Sequence, residues 1–180
     1  MNRLILITFL LSLSQLAIAQ NDTLNQTDAN GLKQGYWVKN HDEGSKKAEG
    51  FFKDGIQIGE FKHYYPSGKI QTVVKHRVNS DTSDAVYYHT NGKTMGEGIY
   101  VSEKKEGLWM FYDDTEQLSS ADVYKAGEKN GESKTFYLNK KLAKKVTYEK
   151  GTETGEYIEY FESGKIKEQG TFLEGTKHGE

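Results

Sequence analysis

Histidines and paired carboxylates are the first residues in this sequence that could carry chemistry. A histidine can act as a general base or a metal ligand, but no two histidines have the His-x-x-x-His spacing of a helical zinc site. The absence of cysteine excludes thiol nucleophiles, disulfides and cysteine-bound zinc. We therefore interpret the five histidines as structural: His41, His63, His76, His89 and His178.

Two pairs of aspartates could share a proton or a cation, Asp81 with Asp84 and Asp113 with Asp114. Both pairs lie at or beside predicted turns, where aspartate is favoured because its side chain bonds the local backbone. We interpret them as turn residues. The sequence thus predicts no catalytic residue, no metal site and no cofactor.

Two further motifs also have structural interpretations. Gly92-Lys93-Thr94 resembles the end of a phosphate-binding loop, but Tyr87 occupies the position where that loop requires glycine. A turn is the better interpretation. The lysine-rich run 140–145 could contact anionic groups, and we interpret it as a solvated strand face. The chain has 24 Lys+Arg against 26 Asp+Glu, a balance that argues against nucleic-acid binding.

The N-terminus has the features of an export signal. A positive start is followed by an apolar run from Leu4 to Leu16 and by Ala17-Ile18-Ala19, a small-x-small cleavage site. The run is shorter than the roughly 20 residues of a membrane-spanning helix. Residues 1–19 are therefore a predicted signal peptide, and residues 20–30 a predicted flexible leader. The expected location is periplasmic, cell-envelope or secreted.

The rest of the chain is an internal repeat of 24 residues. Gly-x-x-x-Gly recurs at multiples of that interval, and stepping through the gap between Gly55 and Gly127 places two degenerate copies there without insertion. The copy at 79–102 departs most, since it lacks both leading glycines. Six full repeats begin at residues 31, 55, 79, 103, 127 and 151, and a partial seventh begins at 175.

Aromatic residues follow the same period. Four positions of the repeat hold 17 of the 21 aromatic residues outside the signal peptide, which excludes chance. The first position, the Trp column, reads Trp37, Phe61, Ala85, Trp109, Ser133 and Tyr157; the last, the closing column, reads Phe52, His76, Tyr100, Tyr124, Tyr148 and Phe172. We expect these two columns to form the core.

Each repeat reads as a β-hairpin. Recurring glycines mark turns, and apolar residues alternate with charged ones as in strands with one solvated face. The predicted fold is all-β: an elongated array of consecutive antiparallel hairpins in a single twisted sheet. The Trp column and the tyrosines three residues later would face opposite sides of an ideal strand, so either a bulge intervenes or both faces carry aromatics.

The repeat pattern resembles the MORN-repeat variant family. The most typical stretches are Trp109-Met110-Phe111-Tyr112 and residues 155–166, and the resemblance extends over residues 31–180. Bacterial members are commonly labelled YwqK-family antitoxins of toxin–antitoxin systems. The resemblance implies a binding or scaffolding protein without enzymatic activity. An export signal would place the partner of such a protein outside the cytoplasm.

We expect another protein to be the partner, bound by aromatic side chains along the sheet. Where two aromatics are adjacent, as in Tyr64/Tyr65 and Phe136/Tyr137, one member should be more exposed. The candidate contacts are Tyr64, Tyr65, Tyr88, Tyr112, Phe136, Tyr137 and Tyr160. A cell-wall glycan is the alternative partner, because aromatic hairpin repeats also bind sugars. A membrane surface is a third candidate, which the net negative charge disfavours.

Overall fold

The computed structural model describes residues 24–178, and the predicted signal peptide lies outside them. Strands and turns make up these residues, and no helix long and apolar enough to cross a membrane occurs among them. The strands are β1 (Gln26–Thr27), β2 (Lys33–Asn40), β3 (Lys46–Lys53), β4 (Ile56–Tyr64), β5 (Ile70–His76), β6 (Thr82–Tyr88), β7 (Thr94–Val101), β8 (Lys104–Tyr112), β9 (Leu118–Lys125), β10 (Glu128–Phe136), β11 (Leu142–Glu149), β12 (Thr152–Tyr160), β13 (Ile166–Leu173) and β14 (Thr176–His178).

All fourteen strands belong to one antiparallel sheet, and each strand pairs with the next along the chain. The predicted array of consecutive hairpins is therefore confirmed. The degenerate copy keeps its place in the array, because β6 and β7 continue the order without interruption. Every 24-residue repeat contributes two strands, which leaves one row of turns along each edge of the sheet.

The turns of the two edges differ. At the edge that we call the base edge, two-residue turns such as Asp54-Gly55 and Lys150-Gly151 have positive φ at both positions, as the hairpin type I′ turn requires. At the opposite edge, the tip edge, longer turns place Gly68, Gly92 or Gly164 at a φ of 81 to 90°. The first glycine of Gly-x-x-x-Gly and the glycine of the tip turns therefore mark turns, as predicted, because glycine adopts positive φ without steric cost.

The second glycine of Gly-x-x-x-Gly does not lie in a turn, contrary to expectation. Gly59, Gly107 and Gly155 lie inside β4, β8 and β12 with φ between 64 and 66°. Phe51 pairs with Ile58 and Glu49 with Lys62, so β4 uses four residues where β3 uses two. The glycine therefore accommodates a bulge within the first strand of the hairpin.

One face of the sheet holds the core, and we call it the packed face. All twelve side chains that are buried among the described residues lie on it. The Trp column runs along its centre and is buried from Phe61 to Tyr157, while Trp37 in the first repeat is partly buried. The core prediction for this column is confirmed, and its centre, Trp109, is 0% exposed.

Large rings on the packed face lie over glycines of the neighbouring strand. A Cβ added to Gly50 would lie 2.0 Å from the Phe61 ring, and one added to Gly98 would lie 2.3 Å from the Trp109 ring. Neither glycine has positive φ, so the backbone conformation does not require glycine here. Both positions require it because the neighbouring ring leaves no space for a side chain. A large side chain on one strand therefore packs over a glycine on the next strand, which allows close packing.

Lysines and the closing column complete the burial. Phe52 and Phe172 are buried and the members between them are half-buried. The Nζ of Lys105 lies 4.5 Å from the centre of the Trp109 ring and 4.9 Å from that of Tyr124. Such lysines cover the rings with their aliphatic stems and add a cation–π attraction. A sheet with no second layer thus buries a tryptophan completely.

Residues 24–30, part of the expected flexible leader, cover the outer edge of β2. The N–H of Asn25 donates to the Tyr36 carbonyl at 3.0 Å, and the Asn25 side chain accepts from the N–H of Val38 at 2.8 Å. Strand β1 pairs with the start of β2. The first edge is therefore shielded against pairing with another chain.

Removal of the central ring tests the core. We expect Trp109→Ala to lower the free energy of unfolding by about 3–5 kcal/mol, because a large buried aromatic is lost. Leu108→Ala is the matched control, since Leu108 is adjacent but 54% exposed and should cost about 0.5 kcal/mol or less. Urea unfolding of both variants gives the comparison, and equal losses would contradict the assignment of the core to one face.

Candidate functional site

Five of the seven candidate contact residues lie together on the face opposite the core, which we call the open face. They occupy the end of successive first strands near the tip edge, and each pairs across the hairpin with a residue of the second strand. We call the resulting row of ten side chains the aromatic ridge: Tyr64, Ile70, Tyr88, Thr94, Tyr112, Leu118, Phe136, Leu142, Tyr160 and Ile166.

The ridge shows on which faces of the sheet the aromatic residues of the first strand lie. Both faces carry aromatics, since Trp109 pairs with Asp122 on the packed face while the Tyr112 hydroxyl donates to Glu97 on the open face at 2.7 Å. Neighbouring strands are about 4.8 Å apart, so an aromatic recurs roughly every 10 Å along the ridge. This spacing suits repeated contacts with one extended partner.

The ridge is partly accessible along its length. Ile166 is 52% exposed and Ile70 36%, while the aromatic members are half-buried. A shallow hollow of about 380 Å³ lies against Tyr112, Leu118 and Phe136. Such a hollow can accept an apolar side chain of a partner. Its other lining residues are Glu116, Gln117 and Lys140, which belong to two neighbouring tip turns.

Tyr65 and Tyr137, the other two candidates, have an intramolecular role. The Tyr65 hydroxyl donates to the Tyr88 carbonyl at 2.7 Å, and the Tyr137 hydroxyl donates to the Tyr160 carbonyl at 2.6 Å. Both members of each adjacent pair are half-buried. The two members of each pair differ in their hydrogen bonds, because the hydroxyl of the second member bonds the backbone of the next hairpin tip.

Histidines replace these tyrosines in two other repeats. His41 Nε2–H donates to the Tyr64 carbonyl at 3.1 Å, and His89 Nε2–H donates to the Tyr112 carbonyl at 3.0 Å. The same row is therefore a ladder of side chain to backbone bonds along the tip edge, which we call the tip ladder. It accounts for two of the five histidines in structural terms, in line with the sequence interpretation.

A glutamate at the N-terminal end of the ridge is the centre of a cluster of hydrogen bonds. The hydroxyls of Tyr36 and Tyr64 both donate to the Glu49 carboxylate, and Lys46 Nζ lies 2.5 Å from it. Burial acts to raise the pKa of Glu49, but the hydrogen bonds from Lys46, Tyr36 and Tyr64 outweigh it and lower this pKa to about 2. Burial, with the bond to Glu49, raises the pKa of Tyr36 to about 12.

The motifs weighed for chemistry have local partners. Gly92 lies in a tip turn, where its N–H donates to the His89 carbonyl at 2.8 Å. Asp113 accepts from the backbone of Thr115 and Gln117 within its own turn. Asp84 pairs with Arg77 at 2.6 Å. Within residues 24–178 no three histidine or carboxylate side chains are grouped so as to hold a metal ion.

The lysine-rich run 140–145 is engaged within the sheet. Lys144 pairs with Glu153 at 3.2 Å and Lys145 with Glu132 at 2.7 Å, while Lys141 Nζ donates to the Ser163 carbonyl at 3.0 Å. Each bond joins this run to another strand or turn. The lysines of this run therefore contribute bonds between strands and turns of the array, in addition to their charge at the surface.

Sequence reasoning missed one cluster, which joins the degenerate copy to the repeat before it. Ser83 Oγ–H donates to His76 Nδ1 at 3.0 Å, and His76 Nε2–H donates to the Gln57 side-chain oxygen at 3.1 Å. Burial lowers the pKa of His76, which favours this neutral form. The available signal was the replacement of the usual glycine by Ser83 in the copy at 79–102. Because Ser83 is only 8% exposed, its hydroxyl is poorly placed to attack a substrate.

The fold and the ridge define a single-sheet repeat protein built from β-hairpins, with one packed face and one open face. Three segments of the chain match the family described as MORN repeat variant: residues 57–76, 129–150 and 153–174. Each segment corresponds to the two strands of one hairpin, so the match follows the repeat units of the structure. The matched segments make up about a third of the chain.

The search of curated proteins found no match. Among solved structures, one crystal structure of a mutant of S. aureus TarM, in complex with fondaparinux, alpha-GlcNAc-glycerol and UDP, matches with a TM-score of 0.39 and 10% identity. The match covers 53% of this chain and 19% of that chain. A likeness at this level has no bearing on function.

Acid should weaken the cluster around Glu49. Because the folded-state pKa lies below the usual value near 4.5, its stabilisation is present above that value and is lost as the pH falls toward about 2. Between about pH 5 and pH 2, we expect the free energy of unfolding to fall by about 1–2 kcal/mol less in Glu49→Gln than in the wild type. Urea titrations across this range measure it, with Glu60→Gln as a control; parallel curves for wild type and Glu49→Gln would refute the assignment.

The tip ladder can be separated from the ridge by removal of single hydroxyls. Tyr137→Phe deletes the bond to the Tyr160 carbonyl, and we expect a loss of about 1 kcal/mol in the free energy of unfolding. Tyr160→Phe keeps that carbonyl and removes a ridge hydroxyl, so it should cost less. Thermal melting of both variants decides, and a larger loss in Tyr160→Phe would reverse the two roles.

Proposed function

We propose that the protein is an exported, non-enzymatic binding module that holds another protein along the aromatic ridge. One observation carries the proposal: a row of aromatic and aliphatic side chains continues over the strands from β4 to β13 on the face that the core leaves free. An exposed apolar row of this length commonly marks an interaction surface.

The composition of the ridge favours a protein partner. Tyrosine is enriched in protein interfaces, because one side chain offers a large apolar surface and a hydroxyl. Tyr112 and Phe136 flank the shallow hollow, which can accept an apolar side chain of the partner. The Glu49 cluster adds the polar groups of Tyr36, Tyr64 and Lys46 at one end. Affinity would come from many such contacts, each weak alone.

Absence of catalysis is part of the proposal. Its support is that the polar groups nearest to a catalytic arrangement, Ser83 and His76, bond each other inside the sheet. The role would be that of a scaffold. An antitoxin- or immunity-like role, which the family resemblance implies, is the more specific form, and export would then place the neutralised partner in the periplasm or cell envelope.

A cell-wall glycan is the alternative partner, and the same experiment must distinguish it from a protein partner. Stacking on sugar rings would have to come from the ridge tyrosines, because Trp109 is fully buried and Trp37 packs against Phe52. This placement removes the best stacking residues from the open face and favours the protein partner. Sugar competition distinguishes the two cases directly.

We expect the chain lacking residues 1–19, used as bait, to retain a discrete envelope protein from the source cell. The double variant Ile70→Lys with Ile166→Lys should lose at least about 90% of this retention, because two desolvated charges interrupt the ridge. Leu173→Lys is the control, since Leu173 is 58% exposed near the base edge. Unchanged melting must accompany each variant.

Retention on insoluble wall glycan, released by free sugar and lost in the same ridge variant, would replace the protein by the glycan. Equal retention by the ridge variant and the wild type would show that the ridge does not bind the partner.

A further inference from the structure

The base edge has its own ladder of backbone bonds, which we call the base ladder. In four repeats the first glycine donates its N–H to the carbonyl 22 residues earlier, as from Gly127 to Lys105 at 2.9 Å and from Gly151 to Lys129 at 2.8 Å. Gly55 and Gly175 make the equivalent bonds. At the next copy the step is shifted by one residue, since the Ser102 N–H, not that of Glu103, donates to the Asp81 carbonyl at 3.0 Å. Among the residues that the structure describes, the step from Asn79 to Gln57 has no such replacement.

The degenerate copy explains the gap. Residues 77–81 form a longer loop, closed by a bond from the Arg77 N–H to the Thr82 carbonyl at 3.0 Å, in place of a two-residue turn. Strand β5 pairs with β4 only from Glu60 onward. The first part of β4, from Ile56 to Ile58, is therefore paired with β3 on one side and has no paired strand on the other.

A groove of about 920 Å³ lies along this open side, and we call it the edge groove. Its rim carries three aliphatic side chains of high exposure, Val78 at 88%, Ile56 at 68% and Ile58 at 42%. These three side chains lie together beside the break in the base ladder. The groove thus combines apolar contact with an unused strand edge.

The electrostatics of the groove are balanced. Lys53 and Glu103 contribute one charge of each sign to its lining. Arg77 is paired with Asp84, and Asp81 accepts a hydrogen bond from the Ser102 hydroxyl at 2.6 Å. A strongly charged ligand therefore finds no matching field here. The backbone adds the Gln57 carbonyl, which lacks the bond that the base ladder would bring from Asn79.

We propose that the edge groove binds a short, extended, apolar peptide segment of a partner protein, which adds as a strand beside Ile56–Ile58. The peptide N–H groups would donate to the Gln57 carbonyl, in the place of the missing Asn79 bond. Alternate apolar side chains of the peptide would pack against Ile58 and Val78. Main-chain bonding with side-chain pockets at alternate positions is the established physical basis of strand addition.

This site differs from the aromatic ridge in position and in mode. The ridge lies near the tip edge and offers side chains, whereas the edge groove lies at the base edge and offers a strand edge. The two can be occupied by one partner or by different ones. Their variants are independent, so failure of one proposal leaves the other testable.

The test uses the full chain without residues 1–19 and a phage-displayed library of random peptides of about seven residues. Selection is followed by fluorescence polarisation with the enriched peptide and with the same peptide N-methylated at alternate residues. We expect enrichment of alternating apolar sequences, and at least about tenfold weaker binding after N-methylation, because the donors are removed.

Two variants locate the binding. Ile58→Asp should weaken the peptide at least about tenfold, whereas the ridge variant Ile70→Lys with Ile166→Lys should bind it as the wild type does. Val78→Asp is the second groove variant if Ile58→Asp melts early. Three results would overturn the proposal: no enriched peptide that binds below about 1 mM, equal binding of the N-methylated peptide, or loss in the ridge variant alone.

Discussion

A sheet without a second layer has to bury its core on one face with its own side chains, and the ring-over-glycine contact makes this feasible. Trp109 is fully buried because Gly98 leaves space beneath the ring while Lys105 and Tyr100 cover it. Without the glycine the ring would stand away from the sheet and remain in water. The same contact recurs between Gly50 and Phe61 and between Gly170 and Tyr157.

Because the core lies on the packed face, the open face is available for binding. Since the packed face supplies the apolar burial, the open face is free to carry half-exposed tyrosines and isoleucines without loss of the fold. The bulge at the second glycine is part of the arrangement, because it takes up two additional residues of β4 against β3 ahead of the Trp column. Core and ridge then alternate along the same strand.

The period of the repeat was sufficient to predict the hairpins, their order and the burial of the Trp column, because these follow from local patterning. The roles of Tyr65 and Tyr137 were not predictable in the same way. Their hydroxyls reach carbonyls 23 residues away, a contact that depends on the register between hairpins rather than on either sequence segment. The edge groove escaped prediction for a related reason: replacement of glycine by Asn79 and Ser83 looks mild, yet it alters the turn, the bulge and one step of the base ladder together.

The tip ladder has a consequence for how such arrays change length. Each step uses a side chain of one repeat and a main-chain carbonyl of the next, as His41 with Tyr64 and Tyr65 with Tyr88. A main-chain carbonyl is supplied by any amino acid, so the acceptor places no demand on the sequence of the following repeat. A copied unit that carries tyrosine or histidine at this position can therefore bond to whichever repeat follows it, and gene duplication can lengthen the array without compensating substitutions in that following repeat.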